Sequence, residues 1–513
     1  MHLESLLYGL IIGRLDGHLI TSASYRRKLL GLVKKGICGF AVFGGKAGPL
    51  KKFISELQSE SPLPLIIASD IERGVGGQVG GMTVFPCEMA IASAIQNGRA
   101  DSAPDTALLR AMLKAVREEA LFIGINLALI PVLDVNRNPR NPIICTRAFS
   151  DSPASVSWFG KEYIRALEGP GLACCAKHFP GHGDTEVDSH IAQAVVGKSL
   201  RALYAQDLPP FKEAVSAGVS SIMVGHLLVP AFDSKPATVS RRITTGLLRE
   251  KLGFKGVVLT DALNMGALKG IKNLYAECIG AGADILLHPE DPEEAVAELK
   301  NAAKAGALTM ERISASLVRI NALRGNLAPI KTKPDIKGNA RLSSLIRRKS
   351  ITLVKCRPGV LPLRKGAPLK VVFVGERDLY KGRHGLPRKR ATASCDIGAA
   401  SPHVVLIAVY TAVKAWKGTS GLSLSEIRRI KRLIGAASPR EQARPATKGA
   451  ASPRDSGIVV SFGCPYVLGH FKEADALIAA YEAGPDAERA VVDCLTGKTE
   501  FQGRQTVGIR YEV

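Results

Sequence analysis

Leu172-Ala173-Cys174-Cys175-Ala176-Lys177-His178-Phe179-Pro180-Gly181-His182-Gly183-Asp184-Thr185-Glu186-Val187-Asp188-Ser189-His190 joins an unbroken apolar run to a segment crowded with histidines and carboxylates. The run 172–176 reads as a strand buried on both faces, because no polar residue alternates within it. Pro180, Gly181 and Gly183 disfavour a regular helix, so 177–190 reads as a loop at the end of that strand. A buried strand that delivers titratable groups at its C-terminal end is the repeating unit of parallel α/β folds.

Outward from this stretch, the same rhythm runs from residue 35 to about 320. Short apolar runs at 39–43, 63–68, 125–132, 219–224, 257–259 and 285–287 alternate with stretches of helical spacing such as 107–122 and 208–217. Asp291-Pro292-Glu293-Glu294 is a helix start, with Asp at the N-cap and Pro in the first turn. Strands that alternate with helices require a parallel sheet. Asp70, Asp134, His178, His226, Asp261 and His288 each fall just past an apolar run. Any one of them is explained as a helix cap or a loop polar group. Six at equivalent places point to a (β/α)8 TIM-type barrel, whose strand ends converge on one mouth, rather than to an open doubly wound sheet.

The chain has 513 residues, more than one hydrophobic core serves. Residues 1–328 are expected to form the barrel and 329–345 a linker. Residues 346–513 are expected to form a smaller α/β/α sandwich. In the latter, 370–374, 404–409 and 458–461 read as parallel strands, and 425–433 and 488–495 as helices. The unit Gly-Ala-Ala-Ser-Pro-Arg occurs at 435–440 and again at 449–454, so 435–457 reads as a disordered, low-complexity insertion.

Composition narrows the function. Hydrophobic residues make up 46% of the chain, which indicates a folded protein. The net charge is +23, but aromatics are only 5% and do not interleave with the basic stretches, so a nucleic-acid partner is not expected. No CxxC pair occurs among the ten cysteines, which removes zinc ribbons and thioredoxin-type chemistry. Adjacent Cys174 and Cys175 read as buried free thiols. No apolar run is long enough to span a bilayer and no signal segment is visible, so a cytoplasmic location without membrane attachment is expected. Nothing in the sequence fixes an oligomeric state.

Three stretches carry chemistry. In 177–190, histidine can exchange protons near neutral pH, and Asp188 is placed to orient His190. His178 and His182 are four apart, but Phe-Pro-Gly between them breaks the helix a zinc site of that spacing needs. Acid/base chemistry therefore ranks first, a structural loop second and a metal third. No cofactor is expected. In Val257-Val258-Leu259-Thr260-Asp261, the aspartate faces the barrel mouth or caps the next helix; spacing alone leaves both readings open. At the mouth it can attack a sugar's anomeric carbon. The stretch Asp70-Ile71-Glu72-Arg73-Gly74-Val75-Gly76-Gly77 is glycine-rich. No clean GxGxxG opens a helix there, so dinucleotide binding is weakly supported. Taken alone the stretch reads as a tight surface turn, and beside the other two stretches Asp70 reads as able to accept hydrogen bonds from sugar hydroxyls.

Together these stretches resemble the family-three glycoside hydrolases, and Lys177–His190 resembles the signature of their bacterial β-N-acetylhexosaminidase branch. The likeness extends through Pro131-Val132-Leu133-Asp134, Thr146-Arg147-Ala148-Phe149 and Gly225-His226-Leu227. It continues more weakly into the second domain. The resemblance implies a retaining exo-β-N-acetylglucosaminidase acting on peptidoglycan fragments (muropeptides). In it, Asp261 is the nucleophile, His190 the general acid/base, and Asp188 its orienting partner. Asp70, Arg147, Lys177 and His178 hold the terminal sugar. A histidine acid departs from the usual two-carboxylate scheme. The chain itself departs from the family at 70–79, where the glycines are displaced and no arginine follows Val79. A phosphorylase of the same family, a catalytically inactive sugar-binding protein and a metal-dependent hydrolase are the alternatives.

Overall fold

The computed structural model describes residues 3–96, 103–364, 369–381, 386, 404–437 and 456–511. Eight parallel strands form the first sheet: β1 (Ile11–Asp16), β2 (Gly39–Phe43), β3 (Ile66–Ser69), β4 (Leu127–Ala128), β5 (Ala173–Phe179), β6 (Ser221–Val224), β7 (Val257–Thr260) and β8 (Leu286–Leu287). They neighbour each other in chain order, and β8 pairs back onto β1. A parallel bridge between Leu259 and Ile285 joins β7 to the segment entering β8 and closes the circle. This is the expected barrel. Helices Thr106–Ile123 and Leu208–Ser216 fall where the spacing predicts them. Asp291 caps Pro292–Lys304, its Oδ1 accepting from the Glu293 (2.6 Å) and Glu294 (3.4 Å) amides.

Two differences from the sequence reading have physical causes. β1 escapes an apolar-run criterion because Arg14 interrupts it. β5 runs three residues beyond its apolar run, because Lys177 pairs with Val132 and Phe179 with Val224. His178 is thus inside a strand, not in the loop after one.

The barrel's closing seam is short and is reinforced from behind. Asp284 is fully buried just before β8. It accepts from the Val258 amide (3.0 Å), Arg249 (2.5 Å), Arg319 (3.0 Å), Arg312 (3.3 Å) and Ser316 (2.7 Å). Arg249 comes from the π-helix Arg242–Lys251, and the other three side chains from helix Met310–Gly325.

The described contacts divide the chain into two units. The barrel unit is Met1–Phe85, Ala107–Ile144 and Ala148–Ser343; the second is Pro86–Thr106, Cys145–Arg147 and Ser344–Val513. The sequence reading placed 86–106 and 145–147 in the barrel domain. Cys87, Met89, Ala90 and Cys145 instead share a core with Ile407, Val409 and Val459 of the second unit. The expected linker 329–345 is irregular only as far as 335, since helix Ile336–Ser350 follows. Asp335 starts that helix by accepting from the Gly338 amide (2.9 Å), so a glycine that reads as linker lies in a capped first turn.

The second unit contains β9 (Thr352–Cys356), β10 (Leu369–Gly375), β11 (Val404–Tyr410), β12 (Ser456–Phe462) and β13 (Ala476–Ala479), in the order β9-β13-β12-β11-β10. Only β9 is antiparallel to its neighbour. Alternate residues of β11 face opposite cores. Ile407 and Val409 pack with Ile427, Ile430 and Ile434 of one helix, and Leu406, Ala408 and Tyr410 with Ala487, Ala490 and Val491 of another. This is the expected α/β/α sandwich. Of the segment 435–457, residues 435–437 end helix Leu424–Ala437 and 456–457 open β12. Residues 438–455 lie outside the described residues. Cys174 and Cys175 are free and buried, and burial pushes the Cys175 thiol up to about 12. Among the described residues, no helix is long and apolar enough to cross a membrane.

Removing one partner of a buried ion pair leaves uncompensated charge and costs about 3–5 kcal/mol. Asp284→Ala strands three arginines at the seam and is expected to lose about that much stability, read as a lower urea midpoint. An unchanged midpoint would mean that the seam does not depend on this carboxylate.

Candidate active site

The C-terminal strand ends bring the titratable groups together. Lys177 projects from β5 with a side chain only 2% exposed. Its Nζ lies 2.5 Å from Asp70 Oδ1, just past β3, and 2.7 Å from Glu72 Oε1. Two carboxylates on one buried ammonium offset its desolvation and leave the group net negative. Asp70, with 34% of its side chain exposed, presents that charge to the mouth.

Next on β5, His178 donates through Nδ1 to Asp134 Oδ2 (2.6 Å). The His182 amide donates to Asp134 Oδ1 (2.6 Å). Burial works to raise the Asp134 carboxyl, but His178 and His182 outweigh it and hold the group below its usual range. His182 is buried, and burial pulls it down to about 4, so it is neutral in ordinary buffers. Its Nδ1 meets Thr185 Oγ1 (2.7 Å) and its Nε2 meets Ser189 Oγ (2.9 Å). This ring braces the loop, and both nitrogens are engaged by hydroxyls. Among the described residues, no three His, Cys, Asp or Glu side chains stand together as a metal-ligand set.

His190 donates through Nδ1 and through its amide to Asp188 Oδ1 (2.8 and 3.0 Å). Asp188 is fully buried and the His190 ring 25% exposed. A carboxylate bound at Nδ1 fixes the ring's orientation and directs proton exchange to Nε2. The loop is tied to the segment after Asp261: the Gly266 amide donates to His190 O (2.9 Å) and the Ala267 amide to Ser189 O (3.2 Å). A Cβ on Gly266 would come within 2.5 Å of Ile191 O and 2.7 Å of His190 O.

Asp261 follows β7 directly. Its amide donates to Val224 O (3.0 Å), and its Oδ1 accepts from the Ala262 amide (2.8 Å). Burial works to raise this carboxyl. The electrostatic influence of the nearby His178, His226 and His190 rings, with the Ala262 amide, overcomes that and brings it down to about 2. Asp261 is therefore a carboxylate across the whole working pH range. His226 donates through Nε2 to Ala262 O (3.0 Å) and accepts at Nδ1 from Thr238 (2.7 Å). Burial lowers its pKa, which suits this neutral tautomer. His288, past β8, is brought down to about 4 by burial and by Arg14.

Six of the seven residues singled out in the sequence belong to the barrel unit: Asp70, Lys177, His178, Asp188, His190 and Asp261. The seventh, Arg147, lies half-buried in the turn Cys145–Arg147, grouped with the second unit. The sequence reading assigned no part to Glu72 or His182, and it counted Asp134 and His226 only as strand-end polar groups. Glu72 stands two residues past Asp70, the spacing that puts two side chains on one side of an extended segment, and that signal was available.

A parallel barrel with an ionised aspartate and a histidine–aspartate dyad at its mouth has the groups that hydrolysis of a glycosidic bond needs. Comparison with known proteins agrees. Residues 50–323 match the glycosyl hydrolase family 3 N-terminal domain. A β-N-acetylglucosaminidase/β-glucosidase of Cellulomonas fimi is 29% identical over 502 residues, 88% of this chain and 85% of that one. β-Hexosaminidase A of Pseudoalteromonas piscicida is 34% identical over 354 residues, 62% of this chain and 58% of that one. The solved structure of a family 3 β-N-acetylglucosaminidase from Paenibacillus sp. str. FPU-7 superposes over the whole of both chains, with a TM-score of 0.78 and 26% identity. The chain belongs to glycosyl hydrolase family 3, the family its motifs resemble, and is a glycoside hydrolase.

Two predictions follow from the site's packing. Gly266→Ala is expected to displace the His190 loop and lower kcat/KM by about tenfold or more, since a misplacement near 1 Å costs on that scale. An unchanged kcat/KM would show that the loop tolerates the added carbon. The second concerns Asp207, where burial, only partly offset by Lys198, pushes the carboxyl up to about 6. A folded-state pKa above the unfolded one gives stability that is present below the unfolded value and lost as pH rises through the folded one. Between about pH 4 and pH 7, the stability of Asp207→Asn relative to wild type should therefore rise by on the order of 2 kcal/mol. Parallel urea melts at the two pH values check this, and a constant or falling difference would contradict it.

Proposed function

We propose that the chain is a retaining, exo-acting β-N-acetylglucosaminidase that removes terminal N-acetylglucosamine from peptidoglycan fragments. One observation carries the mechanism. Asp261 is held ionised beside a histidine whose ring is oriented by a buried aspartate. The nucleophile must be an anion, and Asp261 is held as one; the proton donor must be held in a fixed orientation, and Asp188 holds the His190 ring.

In the first step Asp261 attacks the anomeric carbon. The bond from that carbon to the leaving oxygen breaks while His190 Nε2 delivers its proton to that oxygen. The product is a glycosyl ester on Asp261. In the second step water attacks the same carbon, His190 takes the water's proton, and the ester bond breaks to free Asp261. Two inversions give net retention. Asp70, Lys177 and His178 bind the terminal sugar, and the fixed Lys177 bridge spares them reorganisation when it arrives. The relatives named β-N-acetylglucosaminidase support the acetamido sugar. The net charge of +23 suits leaving groups that carry carboxylates.

The test compares nitrophenyl N-acetyl-β-glucosaminide with nitrophenyl β-glucoside in phosphate-free buffer. Wild type should turn over the first and not the second. Asp261→Ala should fall to background, and His190→Ala by about a hundredfold or more. Turnover that needs added phosphate would point instead to a phosphorylase. Full activity in Asp261→Ala would overturn the assignment.

A further inference from the structure

The loop that carries His190 is held from outside the reacting centre by a buried lysine. Lys198 Nζ lies 2.7 Å from Asp207 Oδ2 and also pairs with Asp184. Asp207 is fully buried in the corner between helices Leu200–Gln206 and Leu208–Ser216. Asp184 belongs to the loop itself, four residues before Asp188. Lys198 and Asp184 are only 15% and 17% exposed. The corner also receives the start of the loop: a Cβ on Gly181 would stand 2.8 Å from Asp207 Cβ.

Several of the loop's other tethers are weaker. Asn141 donates to His182 O (2.8 Å) and Gly183 O (3.1 Å), and Asn138 to Asp184 O (3.2 Å), as neutral hydrogen bonds. The Arg140–Glu186 pair is 77% and 51% exposed, and exposed ion pairs contribute little. The Asp184–Lys198–Asp207 bridge is a charged tether that solvent screens little.

We propose that Lys198 is a positioning residue for proton transfer: through Asp184 it fixes the loop so that His190 meets the leaving oxygen. This rests on the reading of His190 as the general acid/base. A lysine that only stabilised the fold would affect all substrates alike. One that positions the acid matters in proportion to how much the leaving group needs a proton.

The experiment measures kcat/KM, which reports the first bond cleavage, for phenyl and dinitrophenyl N-acetyl-β-glucosaminides. Dinitrophenolate leaves unprotonated; phenolate needs the acid. Wild type, Lys198→Met, Asp184→Asn and His190→Ala are compared, and thermal melts confirm that each is folded. His190→Ala should lose far more on the phenyl substrate than on the dinitrophenyl one. Lys198→Met and Asp184→Asn should show the same selectivity, with losses of about tenfold on the former and under about twofold on the latter. If Lys198→Met does not fold, Asp184→Asn carries the test from the loop side with a neutral side chain of the same shape. Equal losses on both substrates, or none on either, overturn the proposal while His190→Ala remains selective. If His190→Ala itself shows no selectivity, the acid/base reading has failed, and the proposal with it.

Discussion

The mouth of this barrel is organised around keeping one largely enclosed carboxylate ionised. Asp261 has its charge opposed by desolvation and favoured by three histidines and a backbone amide. A charge without such surroundings would be neutralised. In the proposed mechanism nucleophilic attack needs the anion, so the placement of His178, His226 and His190 would serve the chemistry as well as the packing.

The histidines do not all reach their positions by the same physical route. His178 and His190 are oriented by carboxylates, Asp134 and Asp188. His226 is oriented by a threonine hydroxyl and a main-chain carbonyl, and burial keeps it neutral. His182 touches two hydroxyls and braces the loop. Residue type alone does not separate these roles. The partner at each ring nitrogen does. The same holds for Lys177, whose bridge to Asp70 and Glu72 makes it a fixed part of the barrel mouth rather than a mobile surface cation.

Much of this was legible in the sequence, because parallel strands buried on both faces leave an uninterrupted apolar trace and polar residues mark their ends. Asp70, Asp261 and His288 follow their strands directly. Legibility failed where tertiary pairing overrode composition. β1 hides behind Arg14, and the polar end of β5 is strand because its neighbours supply hydrogen-bond partners. The helix Ile336–Ser350 begins at a cap that looks like linker. At the site, residue roles were readable only through motif resemblance. The pairing of Asp134 with His178 spans 44 residues and that of Lys177 with Asp70 spans 107, separations that no local pattern encodes. The grouping of 86–106 and 145–147 with the second unit was hidden for the same reason: it depends on which apolar faces meet.

The central claim is that Asp261 carries the sugar covalently between two proton transfers. The most direct measurement is the mass of the chain, and of its peptides, quenched during turnover of dinitrophenyl N-acetyl-β-glucosaminide by His190→Ala, in which release of the sugar is slowed more than its attachment. The account predicts one N-acetylhexosamine per chain, on the peptide containing Asp261. Continued dinitrophenol release with no added mass, or sugar attached to another residue, would contradict it.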